Sequence, residues 1–455
     1  MNILLINVSK NWKGRVYKEY PLGLGMLGTI ASNAGHNLKI LDLAVDDSDP
    51  IKIILNFKPD ITGLSFLSTS SYTAKNLITK LKKIKCGHLI SGGIHTSIFP
   101  LNVLKWGFDF VGVGEGELFF PTLINALKDV TLTTFYNKSD FINIPNIGFR
   151  DVNGEYFFTN KTSDSVDLDS LPIVDRNLFN KDKYSNHSIV SSRGCIYNCK
   201  FCCSWGSGGK KGRFASPEKI IAEFRYLINE IGAKTVYWAD DMFFMNQEQR
   251  LNFCTILEKE NLDLDWDWVI QLRASEINKE LIIALKKAGC SKIAIGAESG
   301  SNKVLKNIGK GISAEEVEEG INCAIKFGMK IKTWWIIGLP GSDFSEEIKT
   351  LELIKRTKPH EVAIHTFVPL PGTVFWDEAS FYNINLPVIE NVEDLYYYSS
   401  YENVKLNSIT YNEFKKLLNL FIETMDNMGY SPADNITNNT EYVYTTPLQK
   451  KTFSI

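Results

Sequence analysis

The sequence predicts an α/β protein with three parts. These are an N-terminal doubly wound, Rossmann-like parallel sheet, a second series of β/α units, and a small, mainly helical C-terminal piece. Three observations carry this expectation. Short apolar runs alternate with helix-length stretches over residues 1–128. The alternation resumes over 188–376, after a polar and broken connector at 129–187. At 455 residues, with 44% hydrophobic and 22% charged side chains, the chain can build two or three domains, each with its own core.

In chain order, ILLINV (3–8) reads as a buried strand and LGLGMLGTIASNAG (22–35) as a helix closed by Gly35. LKILDL (38–43), DITGLSF (60–66), HLISGG (88–93) and FDFVGVG (108–114) follow as strands, with helices around 50–57, 72–84, 98–106 and 117–128. In the connector, DVNGEYFF suggests a hairpin at Asn153-Gly154, and no chemistry is assigned there. The second series starts with SIVSSRG (188–194) and continues with strands at 235–243, 266–274, 292–300, 330–341 and 361–373. Ser216 and Pro217 open the helix at 216–232 and Gly232 closes it; further helices lie around 247–261, 278–288, 313–327 and 343–356. Residues 377–455 suggest a small helical cap with a poorly ordered Asn- and Thr-rich end.

A net charge of −2 gives no pull toward nucleic acid or an anionic membrane. No run of about 18 apolar residues occurs, so no membrane span is expected. MNILLINVSK lacks a basic n-region and reads as a first strand and not as a signal peptide. The expected location is the cytoplasm, whose reducing environment makes disulfides a poor reason for clustered cysteines.

Yet RGCIYNCKFCCSWG (193–206) places four of the eight cysteines within nine positions. Cys195, Cys199 and Cys202 stand at Cys-x3-Cys-x2-Cys. Structural zinc sites take four ligands, usually as two separated pairs. Cys203 adjoins Cys202 and projects differently, and Cys86, Cys254, Cys290 and Cys323 are scattered singly, as small core residues are. Three thiolates can also hold a 4Fe–4S cluster that leaves one iron without a protein ligand, although four cysteines are usual. The residues alone leave zinc and cluster both open.

Resemblance separates them. The triplet, with Phe201 before its third cysteine, resembles the radical S-adenosylmethionine signature. That resemblance implies that Cys195, Cys199 and Cys202 ligate a 4Fe–4S cluster and that S-adenosylmethionine chelates the open iron. It further implies reductive cleavage to a 5′-deoxyadenosyl radical and a partial (β/α)6 barrel over 188–376. Active residues of such barrels sit at the carboxyl ends of strands. Asp240, Asp241 and Arg273 are therefore the candidate catalytic residues. GAESGS (296–301) and IIGLPG (336–341) resemble family stretches that contact S-adenosylmethionine. They imply contacts from Gly296, Glu298, Ser299, Ile337 and Leu339, beside Phe201. Of the aromatic residues Trp205, Tyr237, Trp238, Trp334 and Trp335, some are expected to wall the reaction chamber and most to pack the core.

PLGLGMLGTIASNAGH, GLSFLSTSS, SGGIHTSIFP and VGVGEGE together resemble the cobalamin-binding domain fused to many such enzymes. This implies cobalamin contacts from Pro21, Leu22, Gly23, Ser65, Ser68, Thr69, Gly92, Gly93, His95, Gly114, Glu115 and Gly116. The loop SKNWKGRVYKEYPLG carries no histidine, so a histidine-ligated cobalt is not expected. The fused pair resembles the cobalamin-dependent radical S-adenosylmethionine methyltransferases over about 1–376. It implies methylation of an unactivated carbon of a small-molecule, natural-product type or peptide substrate through a 5′-deoxyadenosyl radical and methylcobalamin. An external electron donor of flavodoxin or ferredoxin type is implied as well. Two rival readings are a non-methylating radical conversion on the same scaffold and a non-catalytic cobalamin or metal sensor.

Overall fold

The computed structural model describes residues 1–9, 19–133, 135–162, 164–184, 186–204, 209–260, 262, 267–386, 409–432 and, for the backbone, 441–445. Its first sheet contains β1 (Asn2–Val8), β2 (Asn37–Asp42), β3 (Ile61–Phe66), β4 (His88–Gly92), β5 (Phe110–Gly112), β6 (Ile147–Arg150) and β7 (Tyr156–Phe158). The order is β2-β1-β3-β4-β5-β6-β7. The first five strands are parallel and apolar along most of their length, because helices cover both faces. Ile3 and Leu5 pack toward the helices Leu22–Asn33 and Gly116–Ala126, and Leu4 and Ile6 toward Pro50–Phe57 and Ser71–Leu81.

The sheet continues past residue 128. The stretch read as a connector supplies β6 and β7, a hairpin that turns at Gly154 and pairs antiparallel with β5. An aromatic cluster holds it there: the Phe110 ring lies 4.5 Å from Tyr136, 5.0 Å from Phe141 and 5.8 Å from Phe149, between centroids. Beyond the hairpin the chain bridges both halves. The Asp175 amide donates to Thr29 Oγ1 (2.9 Å) in the first half, and buried Arg176 donates to the Ser188 carbonyl (2.8 Å) in the second.

The second sheet is built on β8 (His187–Ile189), β11 (Thr235–Trp238), β12 (Asp267–Leu272), β13 (Cys290–Glu298), β14 (Lys330–Ile337) and β15 (Glu361–Thr366). These six strands are parallel neighbours in that order, the arrangement of an open (β/α)6 barrel. Polar side chains cap the covering helices: Ser216, Asn246, Asn278, Ser313 and Asp343 each accept a hydrogen bond from a first-turn amide. Ile270, Ile293, Ile295 and Trp335 point toward those helices. Strand alternation therefore turns Tyr237, Gln271, Ala294, Trp334 and His365 to the other, inner face. Two short strands, β9 (Ser192–Arg193) and β10 (Arg213–Phe214), pair with each other beside the barrel mouth. The C-terminal piece holds one long helix, Tyr411–Asn427, with a capping box between Thr410 and Glu413. It is not only helical: β17 (Glu441–Thr445) adds antiparallel to β15 and covers that edge of the barrel, and β16 (Ser431–Pro432) pairs antiparallel with β17.

Candidate functional site

The three cysteines lie between β9 and β10 in the chain, on the described loop residues 194–203. The loop is tied down from several directions. The Gly194 amide donates to Asp241 Oδ2 (3.1 Å), the Cys195 amide to the Gly209 carbonyl (3.2 Å) and the Cys202 amide to the Cys199 carbonyl (3.1 Å). All three cysteines are half-buried. Burial raises the Cys195 thiol above its usual range, and charges on Cys202 and Cys199 would raise it further. Among the described residues no group of His, Cys, Asp or Glu converges as one metal ion requires.

Cations offset the charge a 4Fe–4S cluster would carry. Arg273 Nη1 stands 3.9 Å from Cys199 Sγ, and its guanidinium lies 3.7 Å from the Tyr197 ring centroid. Arg273 also donates to the Lys310 carbonyl. Lys310 was not anticipated from the sequence. It is buried, its Nζ donates to Glu298 Oε1 (2.8 Å), and it lies 5.9 Å from the Phe201 ring. Desolvation pushes the Cys199 thiol up, while Lys310 and Arg273 pull it back. The stretch Ile308–Gly311 thus clamps the cysteine loop: the Ile308 carbonyl accepts from the Lys200 amide (2.9 Å). Gly309 (φ 67°) would set a Cβ only 2.8 Å from the Asn198 carbonyl oxygen.

Glu298 stands at a register shift in β13 with φ 65°, a strained backbone for a non-glycine residue. A Cβ on Gly296 would come within 2.5 Å of the Glu298 carboxylate, so the side chain occupies the space that glycine leaves. Ser299 is buried and taken up by Thr350 and the Ser301 amide. Ile337 and Leu339, expected to contact S-adenosylmethionine, have buried side chains in the outer core. Within β14 the alternation presents Ile336 on the inner face instead, and the strand ends at Ile337 before Gly338 turns with φ 82°.

The two aspartates differ. Asp240 accepts from the Ser191 amide (2.7 Å), the Ser192 amide (3.1 Å) and Ser191 Oγ, to which Trp238 Nε1 also donates (2.6 Å). Burial pushes its carboxyl up to about 8. Asp240, read as a catalytic candidate, is a strut for the turn between β8 and β9. Asp241 is the member of the pair that lines the interdomain cavity. Trp238 and Trp335 are buried in the core, and Trp205 lies outside the described residues.

That cavity has a volume of about 620 Å³ and is walled by both halves of the chain. The first sheet contributes its carboxyl-end residues: Pro21, Leu22, Gly23, Ser65, Gly92, Gly93, Gly114, Glu115 and Gly116 all line it. The barrel contributes Val190–Arg193, Ala239 and Asp241. Leu168, Leu171, Pro172 and Val174 of the supposedly inert connector line it as well. Gly93 (φ 89°) would place a Cβ 2.7 Å from Ser65 Oγ, so only glycine keeps this floor flat. Three expected contacts stand apart from the lining. Ser68 and Thr69 form a 3₁₀ turn, and His95 Nδ1 bonds Ser68 Oγ (3.0 Å) while its ring packs among Phe66, Phe99 and Trp106. Burial lowers the His95 imidazole to about 4. Among the described lining residues none is a histidine. A large, mostly apolar chamber with a glycine floor fits a flat, bulky macrocycle.

A doubly wound sheet and an open (β/α)6 barrel, with a cysteine triplet that begins two residues after Arg193 in the wall of their shared cavity, are the parts of a radical S-adenosylmethionine enzyme with a cobalamin domain. Family models agree: residues 189–354 match the Radical SAM superfamily and residues 15–124 the B12 binding domain. The chain is a radical SAM enzyme that carries a B12-binding domain. It is 29% identical over 412 residues to an uncharacterized methyltransferase of Pyrococcus horikoshii, covering 87% of each chain. It is 24% identical over 379 residues to the cytidylyl-2-hydroxyethylphosphonate methyltransferase of Streptomyces wedmorensis, covering 70% of this chain and 69% of that one. Its fold is similar to that of the radical S-adenosylmethionine methyltransferase TsrM from Kitasatospora setae. The TM-score is 0.69 at 16% identity, over 83% of this chain and 74% of that one.

Proposed function

We propose that the protein methylates an unactivated carbon of a small-molecule substrate of natural-product type in the cytoplasm, with electrons from a flavodoxin- or ferredoxin-type donor. The supporting observation is a cavity walled by the carboxyl ends of the first sheet on one side and by the residues that follow β8 and β11 on the other. Groups held on the two halves can meet there within contact range, about 3–4 Å, without crossing solvent. When bound, the cluster and S-adenosylmethionine supply hydrogen abstraction, and cobalamin supplies the methyl group. The protein supplies placement. Cys195, Cys199 and Cys202 hold the cluster, and Arg273 and Lys310 offset its charge. Glu298 and Gly296 present the strand end to S-adenosylmethionine. Asp241 fixes the start of the loop and faces the cavity, and the apolar lining excludes water.

The test is an anaerobic incubation with reductant, cobalamin, methyl-labelled S-adenosylmethionine and candidate substrates, read by mass spectrometry. Gain of one labelled methyl is expected, and Cys199→Ala abolishes 5′-deoxyadenosine. Formation of 5′-deoxyadenosine with an unlabelled product would replace methylation by another radical conversion. No 5′-deoxyadenosine from the reconstituted protein would favour a sensor.

A further inference from the structure

The loop that carries the cysteines leaves and returns through one pair of residues. Arg193 precedes it and Arg213 follows it, and the two are partners in the β9–β10 ladder. Both arginines are gripped from the other domain. Arg193 forks onto Glu117, Nη2 to Oε1 at 2.6 Å and Nη1 to Oε2 at 3.2 Å, and its Nη1 also reaches Glu115 Oε1 at 2.9 Å. Arg213 forks onto Glu115, Nη2 to Oε1 at 2.7 Å and Nη1 to Oε2 at 3.1 Å. Paired forks of this kind fix orientation as well as distance. The four side chains are largely buried, which leaves little room for salt to screen them. Burial alone would raise the Glu115 carboxyl, but Arg213 and Arg193 outweigh it and hold it below the usual range.

Position makes this more than adhesion between domains. Glu115 stands between Gly114 and Gly116 in the wall of the cobalamin cavity, and Arg193 is two residues from Cys195. A ligand pressing on the glycine loop bears on the carboxylates, and through them on the neck of the cysteine loop. We propose that Glu115, Glu117, Arg193 and Arg213 are positioning residues that register the cluster loop against the cobalamin cavity, so that each site senses occupancy of the other. The inference rests on the two cofactors and not on methyl transfer, and it survives any outcome for the substrate.

Hydrogen exchange on the full-length, cluster-loaded protein, with and without hydroxocobalamin, tests it. Peptides covering 192–194 and 212–214 are expected to exchange about fivefold or more slowly when cobalamin is bound, the lower range of ordinary site-to-site coupling. Glu117→Gln is expected to abolish that slowing while still retaining cobalamin by absorbance, and Glu117→Asp to keep part of it. With both cofactors paramagnetic, the variant's cluster–cobalt magnetic interaction should broaden relative to wild type. A neck whose exchange ignores cobalamin in the wild-type protein would overturn the proposal, as would Glu117→Gln with undiminished slowing. If the variant does not fold, the wild-type comparison decides.

Discussion

At the scale of single residues, the adjacent aspartates show what burial does to like side chains. Asp240 completes three hydrogen bonds inside the β8–β9 turn, whereas Asp241 opens on the cavity. Asp240→Ala strands the Ser191 and Ser192 amides and should cost about 1–3 kcal/mol. Asp240→Asn, which keeps an acceptor for both, should cost less than about 1 kcal/mol; thermal unfolding compares them. A marked loss of 5′-deoxyadenosine formation by a stably folded Asp240→Asn would return this residue to the chemistry. The cysteine triplet was legible because its spacing is local. Which aspartate faces the cavity was not, since a one-residue step decides it. Lys310 was missed because it meets Glu298 only after a helix, Asn302–Asn307, folds between them. The available signal was a lysine flanked by Gly309 and Gly311, which let the backbone press against Asn198 and Arg273.

At the scale of elements, alternation within strands was the strongest guide and turned against one expectation. IIGLPG was read as a stretch, but a strand shows each face only every second residue, so Ile337 belongs to the core, and the turn at Gly338 carries Leu339 into the same core. The ends of β3 and β4 and the turns after them divide too: Ser65 and Gly93 reach the cavity, and Ser68 and His95 bond each other. The floor formed by Gly93 makes a direct prediction. Gly93→Val combines a positive φ, a cost of roughly 1–2 kcal/mol for an L-residue, with a clash against Ser65. The purified variant should lose cobalamin on desalting, read by visible absorbance, and retain wild-type iron and sulfide. Strands and covering helices of both sheets were legible from composition and caps. β16 and β17 were not: Glu441–Thr445 reads EYVYT, a strand-favouring run, but it is short, sits in an Asn- and Thr-rich tail, and finds its partner β15 about 75 residues earlier in the chain.

At the scale of the whole molecule, the domains are joined by charge as well as by chain. Glu115 has a depressed pKa when folded, so its stabilisation is complete above the ordinary glutamate value and disappears as pH falls through the folded one. Between about pH 5 and pH 3 the wild-type melting temperature should therefore fall faster than that of Glu115→Gln. Parallel slopes for the two proteins would mean that the pair adds nothing to interdomain stability. The hairpin of β6 and β7 carries a practical consequence for anyone dissecting the chain. A fragment ending at residue 128 would strip β5 of its neighbour and bare Phe110 to water, leaving a sticky flank that recruits other copies. Expressed alone, 1–128 should precipitate and 1–162 should stay in the supernatant, so the autonomous genetic unit ends after the hairpin.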